Sequence, residues 1–192
     1  MRVRDCLGQT FEADCLELAR QVSVFDPDVV VGVRRGGAEV SRSIQESGLV
    51  PARYVEVGAA RPATRVKERS RLSTLLQRLP VHLRNLLRIL EHRVRVWRFS
   101  RKHRSPGRSV LLPPEATSAV REARRILIVD DAVDSGQTLL AVTEAIGAET
   151  SAQVRTAALT VTFPRPLLEP DFFLHRGVLL RFPWSADAGS LV

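Results

Sequence analysis

Short aliphatic runs alternate along this chain with longer stretches in which apolar residues recur at every third or fourth position. The short runs predict strands at 28–33, 52–57, 125–129 and 154–162. The longer stretches predict helices at 11–22, 38–47 and 138–146, the last two closing before a glycine. Buried strands that alternate with helices are typical of an α/β fold, in which a mainly parallel central sheet is flanked by helices.

The segment between the second and third predicted strands has a different pattern. From Leu79 to Trp97, two sets of residues recur at intervals of three and four. The apolar set is Leu79, Leu83, Leu86, Leu90, Val94 and Trp97, and the second set is Arg84, Arg88, Glu91, Arg95 and Arg98. This spacing predicts an amphipathic helix with an arginine stripe. Residues 99–114 have the Ser, Pro, Gly and Arg content of a flexible loop, which is a candidate lid.

The positive charge of the chain is concentrated in the same segment. The 192 residues carry a net charge of +8. Residues 61–108 hold fifteen Lys and Arg against two acids, Glu68 and Glu91, so this segment carries +13 and the remainder −5. A chain of this length fits one domain. We therefore predict a single, mildly acidic domain over 1–192 with an inserted basic segment, helical and flexible, at 58–124.

Three interpretations of the basic segment stay open. In the first, the apolar face of the helix packs on the core or on a second subunit, and the arginines face solvent or an acidic surface. In the second, residues 61–108 bind RNA or another polyanion through phosphate contacts that weaken steeply with salt. In the third, the helix lies on an anionic membrane with Trp97 and Phe99 at the interface.

The remaining composition narrows the class of protein. No stretch approaches the roughly 18 uninterrupted apolar residues of a membrane span, and the first residues have no apolar signal-peptide core. We therefore expect neither an integral membrane protein nor a secreted one. Cys6 and Cys15 fit neither a disulfide framework nor the close pairs of zinc sites, so the cytoplasm is the simplest location.

Acidic and hydroxyl side chains follow directly behind one aliphatic run, in the sequence ILIVDDAVDSGQTL (126–139). Where this strand turns into the next helix, backbone amides and hydroxyls can surround a phosphate. The residues of this turn are Ser135, Gly136, Gln137 and Thr138. Asp130 and Asp131 are placed to accept hydrogen bonds from vicinal hydroxyls or to hold a divalent cation. A phosphate site beside a site for vicinal hydroxyls fits a ribose 5-phosphate as the ligand. Asp134 is then available as a proton acceptor or as a carboxylate that stabilises positive charge.

The stretch 126–138 resembles the signature of the type I phosphoribosyltransferases, enzymes that use phosphoribosyl pyrophosphate (PRPP). Four hydrophobic residues, two acids, two more hydrophobic residues and Asp-Ser-Gly-x-Thr agree with that signature at every required position. The resemblance implies that Asp130 and Asp131 bind the ribose hydroxyls and, partly through PRPP, Mg²⁺. It makes Asp134 the catalytic carboxylate near the base nitrogen. It assigns the 5-phosphate to Ser135, Gly136, Gln137 and Thr138.

The earlier turn GVRRGG (32–37) is similar to the pyrophosphate loop of the same family. The resemblance implies that backbone amides and positive charge are presented here to the leaving group, by Arg34, Arg35, Gly36 and Gly37. The peptide bond before the glycine pair is often cis in this family. We therefore predict a non-proline cis bond between Arg34 and Arg35.

The tail, 160–192, resembles the C-terminal hood of xanthine-guanine and hypoxanthine-guanine phosphoribosyltransferases. It shares their Pro-Asp-aromatic sequence at 170–172, followed by a strand that ends in Pro-Trp at 183–184. The lysine that reads the purine's exocyclic oxygen in those enzymes falls at Phe163, and their stacking aromatic falls near Leu179. We expect the base to contact Phe163 as a stacking partner, Arg165 as a substitute for the lysine, and Leu180 as an apolar wall.

The resemblance implies a magnesium-dependent pentosyltransferase of nucleotide salvage. It would move the 5-phosphoribosyl group from PRPP to a nitrogenous base, most simply a purine, and release pyrophosphate, as a cytoplasmic homodimer. The alternative is a PRPP-sensing regulator or RNA-binding protein with the same fold and no transferase activity. The intact Asp134 favours the enzyme, whereas the basic stripe and the missing lysine favour the alternative.

Overall fold

The computed structural model describes residues 1–59, 80–101 and 110–185. The helices in these ranges are α1 (Gln9–Ser23), α2 (Gly36–Glu46), α3 (Val81–Arg101), α4 (Pro114–Glu122) and α5 (Gln137–Gly147). The strands are β1 (Arg2–Asp5), β2 (Val29–Val33), β3 (Arg53–Ala59), β4 (Val110–Leu111), β5 (Arg125–Val133), β6 (Gln153–Val161), β7 (Phe172–Arg176) and β8 (Val178–Arg181).

The central sheet has six strands in the order β4-β3-β2-β5-β6-β7, and only β4 runs antiparallel to its neighbour. Strand β2 lies near the middle, with Val29 opposite Arg53 on β3 and Ile126 on β5. The strands and helices expected from the hydrophobic pattern are present within a few residues of their predicted bounds. The predicted α/β fold with a mainly parallel sheet is therefore confirmed.

Strand β5 extends four residues beyond the aliphatic run that predicted it. It stays paired with β6 as far as Val133 opposite Val161, so Asp130 and Asp131 belong to the strand and do not follow it. The carboxyl half of β5 therefore carries the acidic pair on a hydrogen-bonded backbone.

Hydrophobic clusters cover both faces of the sheet because successive strand residues point to opposite sides. Val30 and Leu127 face the cluster that includes residues of α1 and α2, and Val31 and Ile128 face the cluster that includes residues of α4 and α5. The thiols of Cys6 and Cys15 are free and fully buried. Burial, with Asp14 nearby, raises the pKa of each to about 12, so both remain neutral core groups.

A separate two-stranded parallel sheet, β1 with β8, forms a hood. The predicted hood at 160–192 thus starts later than expected, because β7 pairs with β6 in the central sheet and β1 supplies the second hood strand. Arg181 is only 1% exposed and donates hydrogen bonds to Asp5 and, at 2.8 Å, to Asn85 on α3. Arg88 on α3 donates to the carbonyl of Leu180 at 3.0 Å. The hood and α3 are therefore joined by partly buried polar contacts.

Helix α3 confirms the predicted amphipathic helix, but its apolar face points outward. The exposed fractions of this face range from 37% to 53%, for Leu83, Leu86, Leu87, Leu90, Val94 and Trp97. The interpretation that this face packs on the chain's own core is therefore wrong for the residues described. Leu79 and residues 102–109, which are half of the predicted loop at 99–114, lie outside the described ranges. Of the other half, residues 99–101 belong to α3 and residues 110–111 form β4.

The inward face of α3 is polar and aromatic. Its residues recur at intervals of three and four, and they are Asn85, Arg88, His92, Arg95 and Phe99. The predicted arginine stripe is thus divided, because Arg88 and Arg95 turn towards the protein whereas Glu91 and Arg98 are exposed. Phe99 also points inward, so it does not share an interface with Trp97. In the ranges described, no helix has the length and hydropathy needed to span a bilayer.

Candidate active site

A cavity of about 940 Å³ lies at the carboxyl ends of β2 and β5. In open α/β sheets this edge is where ligands bind. The lining residues are Val33, Arg34, Arg35, Gly36, Gly58, Arg95, Phe99, Asp130, Asp131, Ala132, Val133, Asp134, Ser135, Gly136, Gln137, Thr138, Leu139, Phe163 and Trp184. Both turns singled out in the sequence therefore meet at one cavity, together with α3 and the hood.

The turn from β5 into α5 places amide groups at a helix start. Gly136 has a left-handed backbone with φ of 76°, and α5 begins at Gln137. A side chain at Gly136 would also come within 2.7 Å of the backbone of Leu168, so glycine is required for two reasons. The amide of Leu167 donates to the carbonyl of Ser135 at 2.8 Å and holds the turn from behind. The first amides of α5 thus face the cavity, as binding of a phosphate requires.

The acidic pair is held by its own backbone. The amide of Asp131 donates to Asp130 Oδ1 at 2.9 Å, and the amide of Ala132 donates to Asp131 Oδ1 at 2.9 Å. Trp184 Nε1 donates to Asp131 Oδ2 at 3.0 Å from the hood side. Burial, reinforced by the neighbouring Asp131, raises the pKa of Asp130 well above its ordinary value, and burial also raises the pKa of Asp131.

These two carboxylates fit a magnesium ion shared with a ligand. Hard carboxylate oxygens suit Mg²⁺, and a cation would relieve the repulsion between them. In the parts of the chain that are described, no group of three or more His, Cys, Asp or Glu side chains could enclose a metal. The pair therefore supplies part of a coordination shell, as is usual for Mg²⁺ ions that complete theirs with water and substrate phosphates.

The β2–α2 turn approaches the acidic pair closely because it contains two glycines. A Cβ on Gly36 would lie 2.0 Å from Asp131 Oδ2, and a Cβ on Gly37 would lie 2.4 Å from the carbonyl oxygen of Val129. The predicted cis bond between Arg34 and Arg35 is confirmed. Both arginine side chains are exposed and line the cavity, and Arg34 Nε donates to a carboxylate oxygen of Glu56 on β3 at 3.2 Å.

Asp134, the predicted catalytic carboxylate, is engaged at both oxygens. The Thr162 hydroxyl donates to Oδ1, and Arg95 Nη1 donates to Oδ2 at 2.9 Å. Its side chain is 37% exposed, so it remains accessible from the cavity. The second contact links α3 to the centre of the site.

Only one of the three residues expected to contact the base lies in the cavity wall. Phe163 is 4% exposed and lines the cavity. Arg165 is exposed and outside the lining, because the chain turns at Pro164 towards the back of the β5–α5 turn. Leu180 is buried and also outside the lining, and its backbone serves as an acceptor for Arg88. The structure therefore does not bring Arg165 and Leu180 to the expected wall.

Among the lining residues that were missing from the predicted site, three carry a charged or aromatic side chain: Arg95, Phe99 and Trp184. Arg95 belongs to the predicted stripe, and its spacing from Phe99 places both on one face of a helix. That spacing could have indicated a common face. No sequence signal indicated that this face meets Asp134, 39 residues further along the chain.

Comparison with family models identifies the class of protein. A model described as "Phosphoribosyl transferase domain" matches residues 8–174, which is most of the chain. The protein belongs to this family. Comparison with curated protein sequences gave no significant match.

Solved structures of the same fold cover nearly the whole chain. A Helicobacter pylori xanthine-guanine-hypoxanthine phosphoribosyltransferase superposes with a TM-score of 0.65 at 20% identity, covering 98% of this chain and 97% of its own. A purine phosphoribosyltransferase from Pyrococcus horikoshii gives 0.62 at 18% identity, covering 96% and 95%. A Staphylococcus aureus hypoxanthine phosphoribosyltransferase gives 0.53 at 13% identity, covering 86% and 72%. At these identities the similarity establishes the fold.

Proposed function

We propose that this protein transfers the 5-phosphoribosyl group of PRPP to a ring nitrogen of a purine base and releases pyrophosphate. The observation that carries the proposal is the meeting of three elements at one cavity: the amide-lined start of α5, the acidic pair on β5 and the arginine-bearing β2–α2 turn. Membership of the phosphoribosyl transferase family supports the reaction type. The purine acceptor is supported by the substrates named for the two structures that cover the chain most fully.

In this reaction a bond forms between the base nitrogen and the anomeric carbon, while the bond from that carbon to pyrophosphate breaks. The start of α5, with Ser135 and Thr138, would hold the 5-phosphate, and the acidic pair would orient the ribose hydroxyls. Arg34 and Arg35 would stabilise the charge that develops on the leaving group. Asp134 would accept the proton lost by the base nitrogen or stabilise positive charge on the ribose.

We further propose that Mg²⁺ binds with PRPP at Asp130 and Asp131. Mg²⁺ held there would stabilise the negative charge of the pyrophosphate leaving group. A cytoplasmic homodimer remains our expectation for the working form of the protein.

The experiment is to measure pyrophosphate release from PRPP and Mg²⁺ with a panel of purine and pyrimidine bases, alongside calorimetric PRPP binding. Release that depends on one or more purines supports the proposal and names the acceptor. Release that depends only on a pyrimidine base would overturn the purine assignment and leave the reaction type intact.

A PRPP-binding regulator is the second candidate, and one observation favours it. The Asp134 carboxylate accepts a hydrogen bond at each of its oxygens, from Thr162 and from Arg95, an arrangement that a protein without turnover can keep permanently. Tight PRPP binding with no pyrophosphate release for any base in the panel would favour this candidate over the transferase.

A further inference from the structure

Trp184 lies where the hood meets the acidic pair. Its side chain lines the cavity and is 37% exposed, and its Nε1 donates to Asp131 Oδ2 at 3.0 Å. An indole N–H is a donor only, and the ring offers no lone pair to a cation or to a hydroxyl hydrogen. Trp184 can therefore influence a cation at this site only through the carboxylate that it contacts.

The indole ring is itself held by aromatic neighbours. Phe182, which is buried, stacks on the ring at a centroid distance of 4.9 Å with an interplanar angle of 6°. Phe11 on α1 meets the ring edge-on at 5.5 Å. The turn that carries Trp184 is closed by two hydrogen bonds: the Phe182 amide donates to Ser185 Oγ at 3.0 Å, and the Ser185 amide donates to the Phe182 carbonyl at 2.9 Å. These contacts fix the direction of the indole N–H.

The Asp131 carboxylate gains a restraint from outside β5 through this bond. Its Oδ1 accepts from the amide of the next residue, Ala132, at 2.9 Å. The last torsion of an aspartate has a broad energy minimum, so one local bond restrains the carboxylate only weakly. Trp184 fixes Oδ2 from the hood side, and Gly36, where any side chain would collide with Oδ2, closes the other approach. A carboxylate has about four acceptor sites, so both oxygens can still bind a ligand.

We propose that Trp184 is a positioning residue of the PRPP site, which holds the Asp131 carboxylate in the direction needed to bind the ribose hydroxyls of PRPP and Mg²⁺. The inference rests on the proposed function, because it takes Asp131 to be part of the PRPP site. It gives the hood a part in binding PRPP, although the hood contains none of the signature residues at 126–138.

The first test is calorimetric binding of PRPP with Mg²⁺ to the wild type and to Trp184→Phe. Phenylalanine keeps a ring that can stack on Phe182 and removes the N–H donor. We expect the Kd for PRPP to rise about 10- to 100-fold, the usual loss when a donor behind a metal-binding carboxylate is removed. The KM for PRPP should rise by a similar factor, and kcat should fall less. A role limited to packing, or to stacking on a ligand, would survive this substitution and leave the Kd unchanged.

The matched control is Trp97→Phe. It removes the indole on the outward face of α3, which is 53% exposed and outside the cavity lining. The Kd for PRPP should stay at the wild-type value. Because the chain has two tryptophans, this variant also identifies the indole N–H signal of Trp184 in a proton–nitrogen correlation spectrum.

That signal gives a second readout, which requires no turnover. Asp131→Ala should shift the Trp184 indole proton upfield, because its acceptor is lost, and PRPP with Mg²⁺ should move the same signal in the wild type. An indole signal that is identical in Asp131→Ala and wild type, or an unchanged Kd in Trp184→Phe, would overturn the positioning role.

The same experiments separate this inference from the proposed function. If the wild type binds PRPP and releases no pyrophosphate with any base, the proposed transfer is contradicted, and the Kd of Trp184→Phe still decides the role of Trp184. If the wild type releases pyrophosphate and Trp184→Phe binds PRPP equally well, the transfer stands and the positioning role is wrong. A wild type that binds no PRPP would overturn both.

Discussion

The cavity has two walls that are held in different ways. On one side, the β2–α2 and β5–α5 turns continue directly from strands whose aliphatic residues are fully buried in the central sheet. On the other side, α3 is attached through side chains, by the contacts of Asn85, Arg88, Arg95 and the rings around Phe163. The groups that would bind PRPP and carry the chemistry are on the first wall, and Arg95, which donates to Asp134, is on the second.

This difference suggests that the two walls can be altered separately. Catalytic groups need placement to within a fraction of an ångström, which strand ends and helix starts provide. A wall fastened by a few side-chain contacts can change composition or position without disturbing the sheet. We call the side formed by the β2–α2 and β5–α5 turns the turn wall, and the side formed by α3 the α3 wall. Substitutions in the turn wall should therefore abolish function, whereas substitutions in the α3 wall should change it by degrees.

The largest expected effect comes from Asp134→Asn. The amide oxygen can still accept from Arg95 while the amide NH₂ group donates to the Thr162 hydroxyl, so the packing is kept while the negative charge is lost. We expect turnover to fall about 10²- to 10⁴-fold, with PRPP binding largely intact. Single-turnover pyrophosphate release and calorimetry measure the two quantities. Asp26→Asn, an exposed carboxylate at the amino end of β2, is the matched control. Equal activity in Asp134→Asn and wild type would contradict the catalytic assignment.

The next effect tests the rigidity of the turn wall. In Gly37→Ala the added methyl would lie 2.4 Å from the Val129 carbonyl oxygen and 2.8 Å from Asp130 Cα, so the backbone of β5 must move. We expect the free energy of unfolding to fall by about 1–3 kcal/mol and PRPP affinity to fall with it. Gly147→Ala, whose Cβ would meet nothing within 4 Å, should be neutral or slightly stabilising. Chemical denaturation of both variants decides whether the turn is as tightly packed as described.

A smaller effect tests the attachment of α3. Phe163→Leu removes two edge-on ring contacts, with His92 and Phe99, each worth about 0.5–1.5 kcal/mol. We expect faster amide hydrogen exchange along α3 and unchanged exchange at the start of α5. Phe173→Leu, on β7 and outside the cavity lining, should cost similar stability without this local signature. Exchange that rises equally in both elements would mean that the two walls are not independently held.

The smallest effect is a dependence on pH that originates in the α3 wall. Burial, aided by Arg95 and opposed by Asp134, lowers the pKa of His92 below its usual value near 6.5. As the pH falls through that usual value the unfolded chain takes up a proton before the folded one, so stability is lost on acidification. His92→Gln should lose less stability than wild type between pH 7.5 and 5.5, by no more than about 1.4 kcal/mol per pH unit. Identical losses in the two proteins would place the titration elsewhere.

The features that the sequence predicted correctly are those whose residues are close together in the chain. The phosphate-binding turn, the acidic pair and the cis bond each lie within a few consecutive positions, and the local pattern determines the conformation. The contacts of Arg95 with Asp134 and of Trp184 with Asp131 span 39 and 53 positions, so they depend on how whole elements pack. Arg165 was misplaced for the same reason, since the chain beyond it packs Leu167 and Leu168 against the turn at Ser135 and Gly136.

The hydrophobic pattern also could not predict that the apolar face of α3 points outward. Amphipathic spacing indicates that a helix has two faces, but it does not indicate which of them packs against the protein. A leucine-rich face is normally the buried one. In this helix the inward face is the one that forms hydrogen bonds with the rest of the protein. Asn85 bonds to Arg181, Arg88 to the carbonyl of Leu180, and Arg95 to Asp134.

For protein engineering, the two faces of α3 differ in how freely they can be substituted. Its inward face is constrained by the cavity and the hood, whereas Leu86, Leu90 and Val94 are about half exposed and belong to neither. These outward positions are sites where charged residues, labels or surface attachments can be introduced to improve solubility or to immobilise the protein. Such changes leave in place the groups that would bind PRPP and the base.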